Sequence, residues 1–147
     1  MTATTLDVPA TAELLESLGV PVLGFRVDTL PLFYAAAGGP PVSARVESAE
    51  EAARLAAAHW QIGGTGLLLG RPPDEPLADV EPLVEEALAA AAAAGVSGQA
   101  VTPYVLAHLH RESGGRTEAA NRALVAQNAR LAGEVALEIA AAKQEHR

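Results

Sequence analysis

Apolar positions along the chain fall into two patterns, helical spacing and short continuous runs. Leu14, Leu15 and Leu18 recur at helical spacing after Pro9, with Asp7 a favourable anion near the helix start, and Gly19 ends that segment. The run Val20-Pro21-Val22-Leu23-Gly24-Phe25 follows and reads as a buried strand near 20–25, with Pro21 at its beginning. Leu30 to Ala37 reads as one or two helical turns, and Gly38-Gly39-Pro40-Pro41 as a loop. Val42 to Val46 fits a short strand. Ser48 then has the form of an N-cap, with Glu51 three residues later completing a capping box. The helix it opens is predicted to run to about Gln61, with Leu55, Ala56 and His59 on one face. Gly63-Gly64-Thr65-Gly66 turns into a second buried strand, Leu67-Leu68-Leu69, within 65–70.

The remainder is helical in pattern. Asp79 is placed to cap a long Ala-rich helix ending at Gly95. Thr102-Pro103 opens another helix to about Ser113, and Gly114-Gly115 breaks it. Thr117 is expected to cap a last helix reaching about Lys143. Helices followed directly by buried strands define an α/β fold. The expected architecture is a partial α/β sheet domain with a helical C-terminal part, spanning 1–147 as a single domain without repeat or linker.

Composition narrows the functions available. Half the residues are hydrophobic and 19% are charged, a globular balance rather than a disordered one. Aromatics make up 3%, too few for a base-stacking platform, and the net charge of −8 opposes a nucleic-acid surface. With no cysteine, thiolate catalysis and thiolate metal sites are excluded. No run approaches the ~18 apolar residues of a membrane span, and the N-terminus lacks signal-peptide form. The expectation is a cytoplasmic protein without nucleic-acid or membrane partners.

Several constellations invite chemistry, and most have a plain structural reading. Gly63, Gly64 and Gly66 match neither a dinucleotide fingerprint nor a P-loop and read as a tight turn. His59, His108, His110 and His146 show no metal-ligand spacing, and no histidine metal site is expected. The acid pairs Glu50/Glu51, Asp74/Glu75 and Glu85/Glu86 read as surface charge, although Asp74 and Glu75 fall in the loop after the second strand, where open α/β sheets bind ligands. The last helix is more informative. Leu124, Leu131 and Val135 share one face, and Asn121 and Asn128 fall on it too. An amide projected toward the core needs a partner, either backbone or ligand. Asn121 is the stronger ligand candidate, because it is expected in the first turn, where free N–H groups favour anions.

At this point the chain resembles a known family. Leu6-Asp7-Val8-Pro9, then Leu15 to Phe25, then Leu30-Pro31-Leu32-Phe33-Tyr34 are similar to pseudouridine-5′-phosphate glycosidase. So are Val46-Glu47-Ser48 with the helix to Trp60, Gly63 to Leu69, Pro72-Pro73-Asp74-Glu75 and Val101 to Ala107. The match continues through Gly114-Gly115, Ala120 to Val125 and Asn128 to Ala132. The resemblance implies an α/β homotrimer with a divalent metal, usually manganese. It also implies reversible cleavage of the C–C glycosidic bond of pseudouridine 5′-phosphate to uracil and ribose 5-phosphate. A lysine forms a Schiff base with the opened ribose C1, a glutamate is the general acid/base, and an aspartate helps hold the metal.

The match is to the C-terminal half of that family. The glutamate, the metal-binding aspartate and the phosphate-binding lysine belong to the other half, so no metal ligand is expected in this chain. The Schiff-base lysine would fall at about Ala3, and the only lysine present is Lys143. Of the family's active-site residues, the asparagine alone carries over, as a catalytic residue at Asn121. The expectation is therefore a truncated form or one half of a split enzyme, inactive by itself. The competing reading is a non-catalytic α/β interaction module grown from the same scaffold. A third, a different enzyme using the Asp74/Glu75 loop, lacks an identifiable base or nucleophile.

Overall fold

The structure, a computed structural model, describes residues 8–32, 38–77 and 80–145. Its elements in order are α1 (Val8–Ser17), β1 (Val22–Phe25), β2 (Ala44–Val46), α2 (Ala49–Gln61), β3 (Leu68–Gly70), α3 (Glu81–Ala93), α4 (Val101–Glu112) and α5 (Arg116–Glu145). A single 3₁₀ turn, Gly98–Ala100, leads into α4. The three strands form one parallel sheet in the order β2-β1-β3. The chain is α/β, as expected, and the strands lie within the three regions read from the sequence.

Local chemistry explains where the elements stop and start. Gly19 takes a φ of +68°, and its N–H and that of Val20 close onto Glu16 and Leu15, ending α1 in a left-handed turn. The Ser48 hydroxyl accepts from the Glu51 N–H at 3.2 Å. The Glu51 carboxylate reaches past the cap to the Glu47 N–H at 2.8 Å, one residue beyond the reciprocal bond of a capping box.

Other expectations shift. Thr117 does not cap α5: it lies inside the first turn, fully buried, and the Ser113 hydroxyl accepts its N–H instead. Ser113 takes the role because the helix begins one residue before Thr117. Asp79 lies outside the described residues. α3 is preceded by Val80, with no side-chain cap and Pro82 in its first turn. Leu30 to Leu32 is not helical, and the rest of that segment, 33–37, lies outside the described residues.

Two cores organise the packing. On one sheet face Leu23, Val46 and Ala52 are buried, with Phe25, Leu67, Leu69 and Val135 against them. Here α2 packs beside α5 on the sheet, presenting the buried alanines Ala52, Ala53 and Ala56. Leu55, expected on that face, is 39% exposed; the small side chains, not the leucine, point inward and let α5 approach closely. The other face is covered in part by Leu30, whose side chain and that of Pro31 lie over Gly70. The second core joins α3 and α4 through Val80, Ala87, Val101, Val105 and Leu109, with Ala120 of α5 packed on it. Because α5 contributes to both, it ties the helical part to the sheet. Its 30 residues span about 45 Å.

Candidate functional site at the carboxyl edge of the sheet

α5 runs past β3 in a fixed sense. Its first turns, from Arg116 to Gln127, face the loop Pro73-Asp74-Glu75 that leaves β3, across a cleft of about 440 Å³. Its later turns, from Asn128 to Ile139, lie beside Leu67 and Leu69 of the strand region itself. The start of α5 therefore stands at the carboxyl end of the strands, where open α/β sheets place their ligands. Asn121 is in that part of α5 and is half-buried, but the side of the helix that lines the cleft is formed by Arg116, Ala120, Ala123, Leu124 and Gln127, not by Asn121.

The structure moves Asn121 one step from its expected position. α5 begins at Arg116, so Asn121 sits in the second turn. The N–H groups with no intrahelical partner belong to the turn before it, so any ligand contact there would be made by the side-chain amide. Asn128, expected on the core-facing side, is exposed and borders an apolar cleft between α2, β3 and α5.

Three arginines gather around the same edge, and the sequence reading did not single them out. Arg26 directly follows β1 and adopts a φ of +60°, a left-handed conformation unusual for a residue with a side chain. Its N–H donates to the Val46 carbonyl at 2.8 Å, extending the β1–β2 ladder. Its Nε donates to the Glu47 carbonyl at 3.0 Å, and its guanidinium lies 4.9 Å from the Phe25 ring centre. Strain held in place by such contacts gathers at functional edges. Arg45, on β2, pairs with Glu47 at 2.6 Å and Asp28 at 2.9 Å. Those hydrogen bonds, Glu47 first and Asp28 second, raise its pKa above the ordinary guanidinium value. Arg71 directly follows β3 and pairs with Asp74, which fixes the exit loop. The signal available in sequence was positional: Arg26 and Arg71 each follow a short apolar run.

The remaining candidates separate. Asp74 and Glu75 line the cleft beside α5, but Asp74 is tied to Arg71. Glu50 approaches Arg54 at 4.0 Å, while Glu85 and Glu86 are exposed. His108 Nε2 stands 3.9 Å from Glu86, and the Nε2 atoms of His59, His108 and His110 are buried without a hydrogen-bond partner. His146 lies outside the described residues. Among the described residues no three His, Asp or Glu side chains converge as metal ligands. No described helix is long and apolar enough to cross a membrane. Lys143 is 22 residues beyond Asn121 on the same helix, an axial distance of about 33 Å.

A parallel sheet with flanking helices and a polar carboxyl edge defines the class, an α/β protein. Residues 2–138 match the family described as Indigoidine synthase A like protein, and the chain belongs to that family. It is 46% identical over 137 residues to a pseudouridine-5′-phosphate glycosidase of Thermus thermophilus, covering 92% of this chain and 49% of the relative. It is 48% identical over 144 residues to one of Roseiflexus sp., covering 92% and 44%. Among solved structures it resembles the prealnumycin C-glycosynthase AlnA in complex with ribulose 5-phosphate, with a TM-score of 0.80, 41% identity, and 92% and 46% of the two chains covered. An indigoidine synthase A-like protein of Thermotoga maritima aligns with a TM-score of 0.75 at 35% identity, over 90% and 45%. The chain spans about half the length of the relatives it matches.

Proposed function

We propose that this chain is the scaffold half of a pseudouridine-5′-phosphate glycosidase-type enzyme, inactive alone and completed by a second half. The observation that carries the reading is the match to about half of a glycosidase relative, 92% of this chain but 49% of the relative, by a sequence whose one lysine is Lys143. The glycosidase names of the relatives and the ribulose 5-phosphate in the AlnA complex support a sugar-phosphate substrate. In the family chemistry a lysine amine attacks the ribose C1 and is later released by water, so an amine is indispensable. In this reading the amine, the general acid/base and the metal ligands come from the other half. This chain supplies the sheet edge and the Asn121 amide, which would orient a polar group of the sugar or base by hydrogen bonding.

The test is a pseudouridine 5′-phosphate cleavage assay with manganese present. It is run on this chain alone and on the chain co-expressed with the half of the Thermus relative that it does not match. Uracil release only from the co-expressed pair is expected, with the pair assembling into the family's trimer. Release from the chain alone would overturn the lysine argument. Silence from a well-formed pair would favour the non-catalytic interaction module.

A further inference from the structure

The sheet has two edges, and they are finished differently. β2 carries Arg45, ion-paired with Asp28 and Glu47. Charge along an edge discourages a further strand from pairing. β3 has no such protection: from Ile62 to Gly70 the chain holds no charged residue. The Leu68 N–H is spent on the Pro21 carbonyl, toward β1. Neighbouring residues in a parallel strand direct their backbone groups to opposite sides, so the Leu69 N–H and carbonyl face outward.

Among the described residues the surroundings of β3 are equally open. An apolar cleft of about 500 Å³ lies beside it, lined by Trp60, Leu67, Leu69, Leu131, Val135 and Ile139. The sequence of this strand is that of a fully buried one, yet Leu68 is 40% exposed, and Leu69 and Gly70 are only half-buried. Parallel sheets occur with both faces covered and their strands enclosed. The relatives extend over about twice this length, and this chain covers 43% of one and 49% of another.

We infer that β3 and its cleft dock an uncharged β-strand from the half of the family's length that this chain does not span, extending the sheet beyond β3. The inference rests on the half-enzyme reading above and names the surface on which the halves join.

The experiment uses this chain co-expressed with the unmatched half of the Thermus relative. Hydrogen exchange is followed at single amides. The Leu69 amide is expected to slow at least ~100-fold in the complex, while that of Leu68, already bonded to Pro21, changes little. Leu68→Lys places a charge at the edge, and Ala132→Trp fills the cleft from an exposed position on α5. Each is expected to weaken association at least tenfold while the isolated chain keeps its circular dichroism. Val125→Asp, at another exposed site on α5, should bind as the original chain does.

A complex in which the Leu69 amide stays fast and both variants bind normally would overturn the β3 assignment and leave the half-enzyme reading standing. Absence of any complex with the unaltered chain would overturn both. A dimer of this chain alone that Leu68→Lys disperses would show that a second copy occupies the edge and refute the proposed occupant.

Discussion

Gly24 is the position where the geometry of the site depends most directly on one residue. It lies in the centre of β1, is buried, and has an ordinary φ, so a left-handed turn is not the reason for glycine. The reason is close approach. A Cβ there would come within 3.0 Å of the Val27 carbonyl oxygen and 3.1 Å from a Val42 methyl. The chain turns back sharply after β1 and is held by the Arg26 N–H on Val46 and the Val42 N–H on Asp28. A backbone oxygen so anchored cannot rotate away as a side chain would. Gly24→Ala therefore meets the upper range of overpacking penalties, about 3 kcal/mol. Alanine also restricts the unfolded chain, which offsets about 0.4–1 kcal/mol. The net expectation is a loss of about 2 kcal/mol, a fall of roughly 30-fold in the folded-to-unfolded ratio. In urea, with a slope of about 2 kcal/mol/M, the midpoint should drop by about 1 M. Gly66→Ala is the matched control, because no atom lies within 4 Å of a Cβ there and its φ is not left-handed. It should leave the midpoint unchanged or slightly raised. Equal midpoints for the two variants would refute the argument that Gly24 is required by the turn at Val27.

Other expectations follow from the same packing. Leu109 is 1% exposed at the centre of the α3–α4 core, so Leu109→Ala should cost about 2–5 kcal/mol in thermal or urea unfolding. Ser113→Ala removes the acceptor for the Thr117 N–H and leaves the buried Thr117 hydroxyl without its partner 3.0 Å away. It should lower stability by about 1–2 kcal/mol, whereas Thr117→Ala keeps the cap and should cost less. Asn121→Ala should change the unfolding free energy by less than about 0.5 kcal/mol, since the side chain is only half-buried. In the co-expressed pair the same change should reduce turnover by ~10²-fold, the loss typical of one oriented polar contact, and a variant with full turnover would remove Asn121 from the site.

How much of this was legible in the sequence depends on the range of the interaction concerned. The helices, the three strand regions and the α/β class follow from hydrophobic spacing and turn residues, because both act within a few positions along the chain. The Ser48 cap was readable for the same reason. The family resemblance and the absence of a usable lysine were also present in the sequence alone. The inward face of α2 was not: leucine is more hydrophobic than alanine, but only alanine fits where α5 crosses closely, and that crossing joins residues about 80 positions apart. Arg26, Arg45 and Arg71 belong to three strands that become neighbours only through parallel pairing of distant segments. The exposure of β3 was hidden too. Leu67-Leu68-Leu69 specifies a strand that wants enclosure, and the sequence states that demand by itself. Whether the demand is met is decided by which strands sit beside it, and among the described residues no strand pairs with its outer side.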